Sequence, residues 1–186
     1  MGASDKQARL DQIAAEIVKN NVCPDLAKTA KHLVFGEGNP NATIIFIGEA
    51  PGRSEDETGK PFIGAAGKVL DELLASVGLQ RSDVYITSIL KYRPPNNRDP
   101  KPEEKEAFWP YLSAQLQVIQ PKLVVTLGRH STNCFLPDLQ IGAAHGHPQK
   151  WETYTILPLY HPAAALYNRS LRETIFHDFA VVNTLL

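Results

Sequence analysis

Carboxylates and glycines are concentrated in one segment of the sequence, GEAPGRSEDETGKPFIGAAG, which spans residues 48–67. It holds five glycines, two prolines and four acidic side chains, and it directly follows the apolar run TIIFI. Glycine-rich turns between a strand and a helix often bind phosphate, but here Ala65 and Ala66 replace the lysine and hydroxyl residue of a P-loop. The G-x-S-x-G pattern of a serine nucleophile does not occur either. Since the acids would also repel phosphate, the segment predicts a chemistry other than nucleotide triphosphate binding.

A histidine and a basic cluster follow two other apolar runs. His161 lies between TILPLY and Pro162, and the proline biases the histidine backbone towards an extended conformation at a strand end. The segment KYRPPNNRDPK carries four basic residues that suit the phosphate backbone of DNA, or that are simply solvated: Lys91, Arg93, Arg98 and Lys101. The histidines of HGHP are too few to indicate a metal centre, so we predict no metal site.

Composition limits the class of protein. The 186 residues fit one domain, expected over residues 1–186, and the net charge of −1 means that any polyanion must bind through local basic clusters. Cys23 and Cys134 are far apart and predict neither a disulfide framework nor a zinc site. The charged N-terminal stretch lacks the apolar core of a signal peptide, and no later apolar run approaches membrane-spanning length. We therefore expect a cytoplasmic protein without membrane association.

Apolar periodicity predicts strands that alternate with helices. A first helix is expected over about residues 5–20. The predicted strands are ATIIFIGEAPG, DVYITSIL, KLVVTLG and ETYTILPLY. The later predicted helices are GKVLDELLASVGL, EEKEAFWPYLSAQLQVI with a candidate kink at Pro110, RHSTNCFL and SLRETIFHDFAVVNTLL. This alternation indicates an α/β fold, a three-layer α/β/α sandwich around a central four-stranded parallel sheet, with the site at the carboxyl ends of the strands.

Four segments, in this order, resemble the family 4 uracil-DNA glycosylases of the uracil-glycosylase superfamily: GEAPGRSEDETGKPFIGAAGKVLDELL, YITSILKYRPPNNRDPKPEE, PKLVVTLG and HPAAAL. The resemblance covers about residues 21–186, and its first and last motifs are specific in combination. It implies a uracil-DNA glycosylase-like fold and hydrolysis of the N-glycosidic bond of uracil in DNA, which leaves an abasic site for base-excision repair. The expected partner is DNA containing uracil, bound by a monomer with no obligate protein partner.

The resemblance also implies roles for the catalytic residues. Phe62 matches the aromatic residue that stacks on the flipped base, with an ordinary core phenylalanine as the alternative. Glu49 matches the acid that activates a water molecule or supports the cationic sugar, and the sequence leaves both roles open. His161 would donate a hydrogen bond to uracil O2 as negative charge develops there.

Other positions of the same motifs are expected to hold the site together and to bind DNA. Glu55 matches a second loop acid that would hold the loop, through Asn97, and crowd the C5 position of the base against thymine. Gly48 and Ala50 would approach the base closely. The expected DNA contacts are Arg93 and Arg98, a wedge made by Leu166 or Tyr167, and the phosphate neighbours Arg169 and Arg172.

Two departures from the family pattern change the prediction. Family 4 proteins usually bind an iron–sulfur cluster through four cysteines, but Tyr92 and Phe108 or Trp109 occupy two of those positions, and Cys23 alone remains of the N-terminal pair. One thiol cannot hold such a cluster, so we predict no cofactor and a site filled by aromatic and aliphatic packing. Ser88 replaces the usual asparagine that reads the base. A hydroxyl makes fewer directional contacts than an amide, so one alternative is a broadened specificity for hypoxanthine or xanthine. A catalytically weak DNA-binding homologue that keeps the fold is a further alternative, against which the presence of Glu49, Phe62 and His161 argues.

Overall fold

A computed structural model describes residues 2–186 and contains one six-stranded sheet with the order β1-β3-β2-β4-β6-β5. The strands are β1 (Glu37–Gly38), β2 (Ile44–Gly48), β3 (Tyr85–Ser88), β4 (Leu123–Leu127), β5 (Gln149–Trp151) and β6 (Tyr154–Leu159). The four central strands are parallel, as predicted, whereas β1 and β5 pair antiparallel at the two edges. The prediction of four strands omitted these edges because two or three residues carry no readable periodicity.

Nine α-helices connect or flank the described strands. They are α1 (Ala3–Lys19), α2 (Pro24–Thr29), α3 (Arg53–Thr58), α4 (Ala65–Ser76), α5 (Pro102–Ile119), α6 (Arg129–Phe135), α7 (Ile141–Ala144), α8 (Ala164–Tyr167) and α9 (Arg169–Phe179). Short 3₁₀ turns cover Arg81–Asp83, Pro95–Asn97 and Ala180–Thr184. The predicted helices are confirmed apart from the end of the last, which becomes a 3₁₀ turn, and α5 continues through Pro110 because its buried face packs on the sheet.

The sheet is covered on both faces, which gives the three predicted layers. Alternate residues of β2 point to opposite cores: Phe46 packs with α4 and α9, whereas Ile45 and Ile47 pack with α1 and α5. Every residue of β2, β3 and β4 is buried. This two-sided burial fixes the strand ends that carry the site. Among residues 2–186, no helix combines the length and apolarity needed to cross a membrane.

Candidate active site

A cavity of about 360 Å³ lies at the carboxyl ends of β2, β3 and β6. It receives side chains from three loops that are distant in the sequence. Eight predicted site residues line it: Glu49, Ala50, Glu55, Phe62, Ser88, Asn97, Arg98 and His161. Parallel strands present their carboxyl ends at one sheet edge, which is why these segments meet.

Phe62 forms a wall of the cavity and is held there from behind. Its ring is 8% exposed and packs on Gly48, where an added Cβ would lie 2.5 Å from the ring. Its backbone has φ +51°, a left-handed conformation unusual for a large side chain. Arg81 donates hydrogen bonds to the carbonyl oxygens of Pro61 (3.1 Å) and Phe62. The ring therefore belongs to the core and also presents a surface to the cavity.

His161 presents a neutral hydrogen-bond donor. The backbone nitrogen of Ala163 donates to Nδ1 at 3.2 Å, so the proton of the neutral ring is on Nε2. Burial lowers the pKa of His161 to about 4, and the nearby carboxylate of Glu55 opposes this shift. The ring stacks on Phe62 with centroids 5.7 Å apart. At neutral pH the imidazole can thus donate from Nε2 without being charged.

Glu55 holds the acidic loop together through backbone donors. Its carboxylate accepts hydrogen bonds from the nitrogen atoms of Gly52 (3.1 Å), Ile63 (2.9 Å) and Gly64 (2.8 Å). The Gly52 contact caps α3 at its N-terminus. The expected contact with Asn97 is wrong, since the hydrogen bonds that the Glu55 carboxylate accepts come from backbone nitrogen atoms of its own loop. Instead, the side-chain oxygen of Asn97 accepts from Arg93 Nε at 2.8 Å.

Glu49 belongs to a cluster that sequence reasoning missed. Its Oε2 lies 3.9 Å from His130 Nε2, which is 3.2 Å from Asp99 Oδ2, and Arg129 Nη2 is 2.6 Å from the same Asp99 oxygen. Burial raises the pKa of Glu49 above its ordinary 4.5; His130 opposes the shift and Asp99 adds to it. A carboxylate with a raised pKa is suited to accept a proton. The only sequence signal for His130 was its place two residues after the third predicted strand, which ends at Gly128.

Among residues 2–186, this cluster is the one group of three or more acidic, histidine or cysteine side chains close enough together to hold a metal ion. Ligand atoms of Glu49, Asp99 and His130 lie within 4.8 Å of one another. The guanidinium of Arg129 already contacts the Asp99 carboxylate at 2.6 Å and would oppose a cation there. The absence of a metal site therefore remains a prediction.

The predicted DNA contacts separate into two groups. Lys91 is fully buried, so its assignment to a basic surface is wrong: its ammonium nitrogen lies among acceptors of the core rather than in solvent. Arg98 lines the cavity but makes two hydrogen bonds to Glu104, at 2.9 and 2.5 Å. Arg93 is committed to Asn97. Only the pairing of Arg98 with Glu104 neutralises a charge, because the amide of Asn97 is neutral; Arg93 and the exposed Lys101 keep their positive charge.

The segment after His161 is the more exposed group. Tyr167 is 90% exposed and Leu166 is 41% exposed, both on α8. Large apolar side chains in water are consistent with a surface that meets another molecule. Arg169 is exposed and pairs loosely with Glu173 at 3.6 Å. Arg172 contacts Glu72.

Comparison with known proteins identifies the family. Residues 35–182 match the Uracil DNA glycosylase superfamily. The chain belongs to this superfamily. Within it, the chain is 48% identical over 185 residues to the Type-4 uracil-DNA glycosylase of Archaeoglobus fulgidus, covering 95% of this chain and 92% of that protein. It is 46% identical over 187 residues to the Saccharolobus solfataricus protein of the same name, covering 95% and 86%. The resemblance to family 4 is thus confirmed.

The positions that carry cluster cysteines in family 4 do not offer a cluster site in this member of the superfamily. The rings of Tyr92 and Phe108 pack edge to face with centroids 6.0 Å apart, and Trp109 packs on Phe135 at 5.3 Å. The chain has only two cysteines, and burial raises the pKa of the nearby Cys23 to about 11, with Glu104 contributing. Iron–sulfur ligation requires several thiolates, so this set of side chains does not fit the group.

Proposed function

We propose that this protein is a DNA glycosylase that hydrolyses the N-glycosidic bond of uracil in DNA and leaves an abasic site. The observation that supports it best is the single cavity that unites Glu49, Phe62 and His161. A base turned out of the duplex would enter this cavity and stack on the ring of Phe62. Closely packed Gly48 gives the ring a firm support.

The reaction follows from the charges around that base. The bond between C1′ of the sugar and N1 of uracil breaks, and both electrons leave with the base, so the sugar becomes cationic and the uracil anionic. His161 donates from Nε2 to uracil O2 and stabilises the anion. Glu49 stabilises the cationic sugar and accepts a proton from the water molecule whose oxygen bonds to C1′. The neutral donor His161 thus faces the developing negative charge of the base, and the carboxylate of Glu49 faces the developing positive charge of the sugar.

The surrounding surface would hold the DNA. Leu166 and Tyr167 would fill the space that the flipped nucleotide leaves, since wedges of this kind stabilise an unstacked step. Arg169 lies beside them, where a phosphate contact is expected. We also propose that residues 1–186 form one domain that acts as a cytoplasmic monomer.

The activity is tested with labelled oligonucleotides that contain U, T, hypoxanthine or xanthine. After incubation with the protein, alkali cleaves the strand wherever an abasic site was formed. Cleavage at U and its absence at T are expected. DNA binding without cleavage of any of the four would instead support a non-catalytic DNA-binding homologue.

A broadened base specificity is the second candidate function, and Ser88 is the observation that favours it. Its side chain is 4% exposed on the cavity wall, where it offers a single hydroxyl. A site that makes few hydrogen bonds to its substrate rejects analogues weakly, because few buried polar groups are left unpaired. Measurable excision of hypoxanthine or xanthine by the wild type is therefore expected.

The Ser88→Asn variant is expected to keep or raise uracil excision and to lose this side activity. An amide supplies both a donor and an acceptor to the edge of the base, whereas the hydroxyl satisfies only one directional contact. Single-turnover excision of U and of the best secondary substrate measures the change, with exposed Ser82→Asn as the control. Loss of uracil excision in a well-folded Ser88→Asn protein would contradict the proposed role, because it would indicate a pocket reshaped around serine.

The purified protein is expected to be colourless and to contain no stoichiometric iron. Its aromatic side chains at the cluster positions leave too few thiolates for ligation. Visible absorbance and iron analysis check this on protein produced with ample iron and sulfide. Broad thiolate-to-iron absorbance with stoichiometric iron would overturn the prediction.

A further inference from the structure

A lysine lies completely buried directly behind the cavity wall. The Lys91 side chain is 0% exposed, and none of the ion pairs among residues 2–186 includes it. Two cavity-lining residues are bonded to it: Val34 N donates to the Lys91 carbonyl at 2.8 Å, and the Ser88 carbonyl accepts from Nζ at 2.8 Å. Burial of an amine without a carboxylate is costly, so packing alone does not explain this position.

The hydrogen bonds around Nζ determine its protonation state. Nζ lies 2.6 Å from Thr87 Oγ1 and 2.6 Å from Gln115 Oε1, in addition to the Ser88 carbonyl. The Thr87 hydroxyl donates its proton to the carbonyl of Phe35 at 2.7 Å. The amide nitrogen of Gln115 donates to that same carbonyl at 3.0 Å, which fixes the orientation of the amide. All three groups can therefore only accept from Nζ.

Three acceptors require three N–H donors, and only the ammonium form of lysine has three. A neutral amine would turn its lone pair towards one of the acceptors, which is repulsive. Burial lowers the pKa of Lys91 well below its ordinary value, whereas hydrogen bonding to the charged form acts in the opposite direction. The hydrogen-bond geometry thus assigns a positive charge to the space behind Ser88.

We propose that the buried ammonium group of Lys91 positions Ser88 and stabilises the uracil anion as it leaves, an inference that rests on the proposed glycosylase activity. The negative charge of the departing base spreads from N1 onto both carbonyl oxygens. His161 stabilises the charge on O2, and a cation behind Ser88 acts on the remainder. Lys91 is fully buried and Ser88 nearly so, and the field of this charge is therefore weakly screened on its way to the cavity. Lys91 does not touch the base and is a positioning residue.

The test compares two leaving groups, uracil and 5-fluorouracil, in single-turnover excision from the same oligonucleotide. Fluorine withdraws electron density, so the 5-fluorouracil anion needs less stabilisation. The Lys91→Met variant is expected to excise uracil roughly 10- to 100-fold more slowly and to lose distinctly less on 5-fluorouracil. An equal loss on both bases, or no loss, would overturn the proposal.

A matched control separates charge from packing. Ile89→Val removes one buried methyl group two positions from Lys91 and leaves all three acceptors of Nζ in place. This variant is expected to excise uracil within about threefold of wild type. Its ratio of uracil to 5-fluorouracil rates should match that of wild type. A ratio altered as in Lys91→Met would assign the effect to packing and contradict the proposal.

A second measurement needs no variant: it determines the protonation state of Lys91 in the wild type, and it tests the proposal even if Lys91→Met does not fold. In protein labelled with ¹⁵N at lysine Nζ, the splitting of the Lys91 signal counts its attached protons. Three protons at neutral pH are expected, and two would overturn the proposal. A wild type that does not excise uracil would instead contradict the proposed function, so the two failures are distinguishable.

Discussion

Replacing His161 with alanine is expected to lower single-turnover uracil excision by roughly 10² to 10³, the scale for loss of one transition-state donor. The structure gives the reason in its hydrogen bonds. Nδ1 accepts from Ala163 N at 3.2 Å, which leaves the Nε2 proton for the base. Since this donor acts on charge that develops only as the bond breaks, the loss should appear in the rate and not in the affinity for DNA.

The measurement uses enzyme in excess over a uracil oligonucleotide and, separately, binding to an abasic-site analogue. His177→Ala is the matched control, because that histidine side chain is 88% exposed and lies on α9. Thermal unfolding of both variants should show that they are folded. An excision rate within about threefold of wild type would remove His161 from the mechanism.

The Glu49→Gln variant is expected to lose roughly 10² to 10⁴ in the same assay, the range for a positioned general base. Glutamine keeps the size of the side chain but carries no charge, so it can neither accept the proton of the water molecule nor stabilise a cationic sugar. Glu57→Gln is the control, since it changes an acid of the same loop that is 43% exposed. A Glu49→Gln protein with nearly full activity would assign Glu49 to structure alone.

Excision should also depend on pH through Glu49. Its raised pKa means that the carboxylate takes up a proton at a higher pH than an exposed glutamate does. Activity is therefore expected to fall as the pH decreases through this raised value and to be fully present above it. The groups that face Glu49 are His130 and Arg129 of α6, Asp99, and Lys105 of α5. His161, with a pKa of about 4, takes up its proton at a lower pH than Glu49 does. The decrease in activity at acid pH should therefore be absent from the pH profile of Glu49→Gln.

The four parallel strands could be predicted from the sequence because each lies in an apolar run, and β2, β3 and β4 are buried along their whole length. The edge strands could not, since β1 and β5 gain their conformation from pairing with a neighbour rather than from their own residues. Helix α3 was not predicted, because its six residues lie within the acidic, glycine-rich segment. It is capped by Glu55, whose other hydrogen bonds reach residues eight and nine positions away.

In the candidate site, too, the contacts that depend on distant residues could not be predicted from the sequence. Motifs at the strand ends predicted the residues that line the cavity, because the strand ends themselves were predictable. The contact between Arg129 and Asp99 joins residues 30 positions apart, and no local pattern indicates it. Lys91 was expected in solvent because it adjoins a basic loop, yet Gln115 of α5, 24 positions away, supplies an acceptor in the core. Long-range partners of polar residues are set by tertiary packing.

Arg81 shows how a residue outside the cavity sets the shape of the cavity. It pairs with Asp71 at 2.5 Å and bonds to the carbonyl groups of Pro61 and Phe62, where the chain holds a left-handed turn. Because the Arg81 side chain is 31% exposed, its burial alone would suggest that substitutions there have little effect. Its hydrogen bonds make it a support of the aromatic wall. We therefore expect substitutions of Arg81 to change which bases the cavity accepts, although the residues that face the base stay the same.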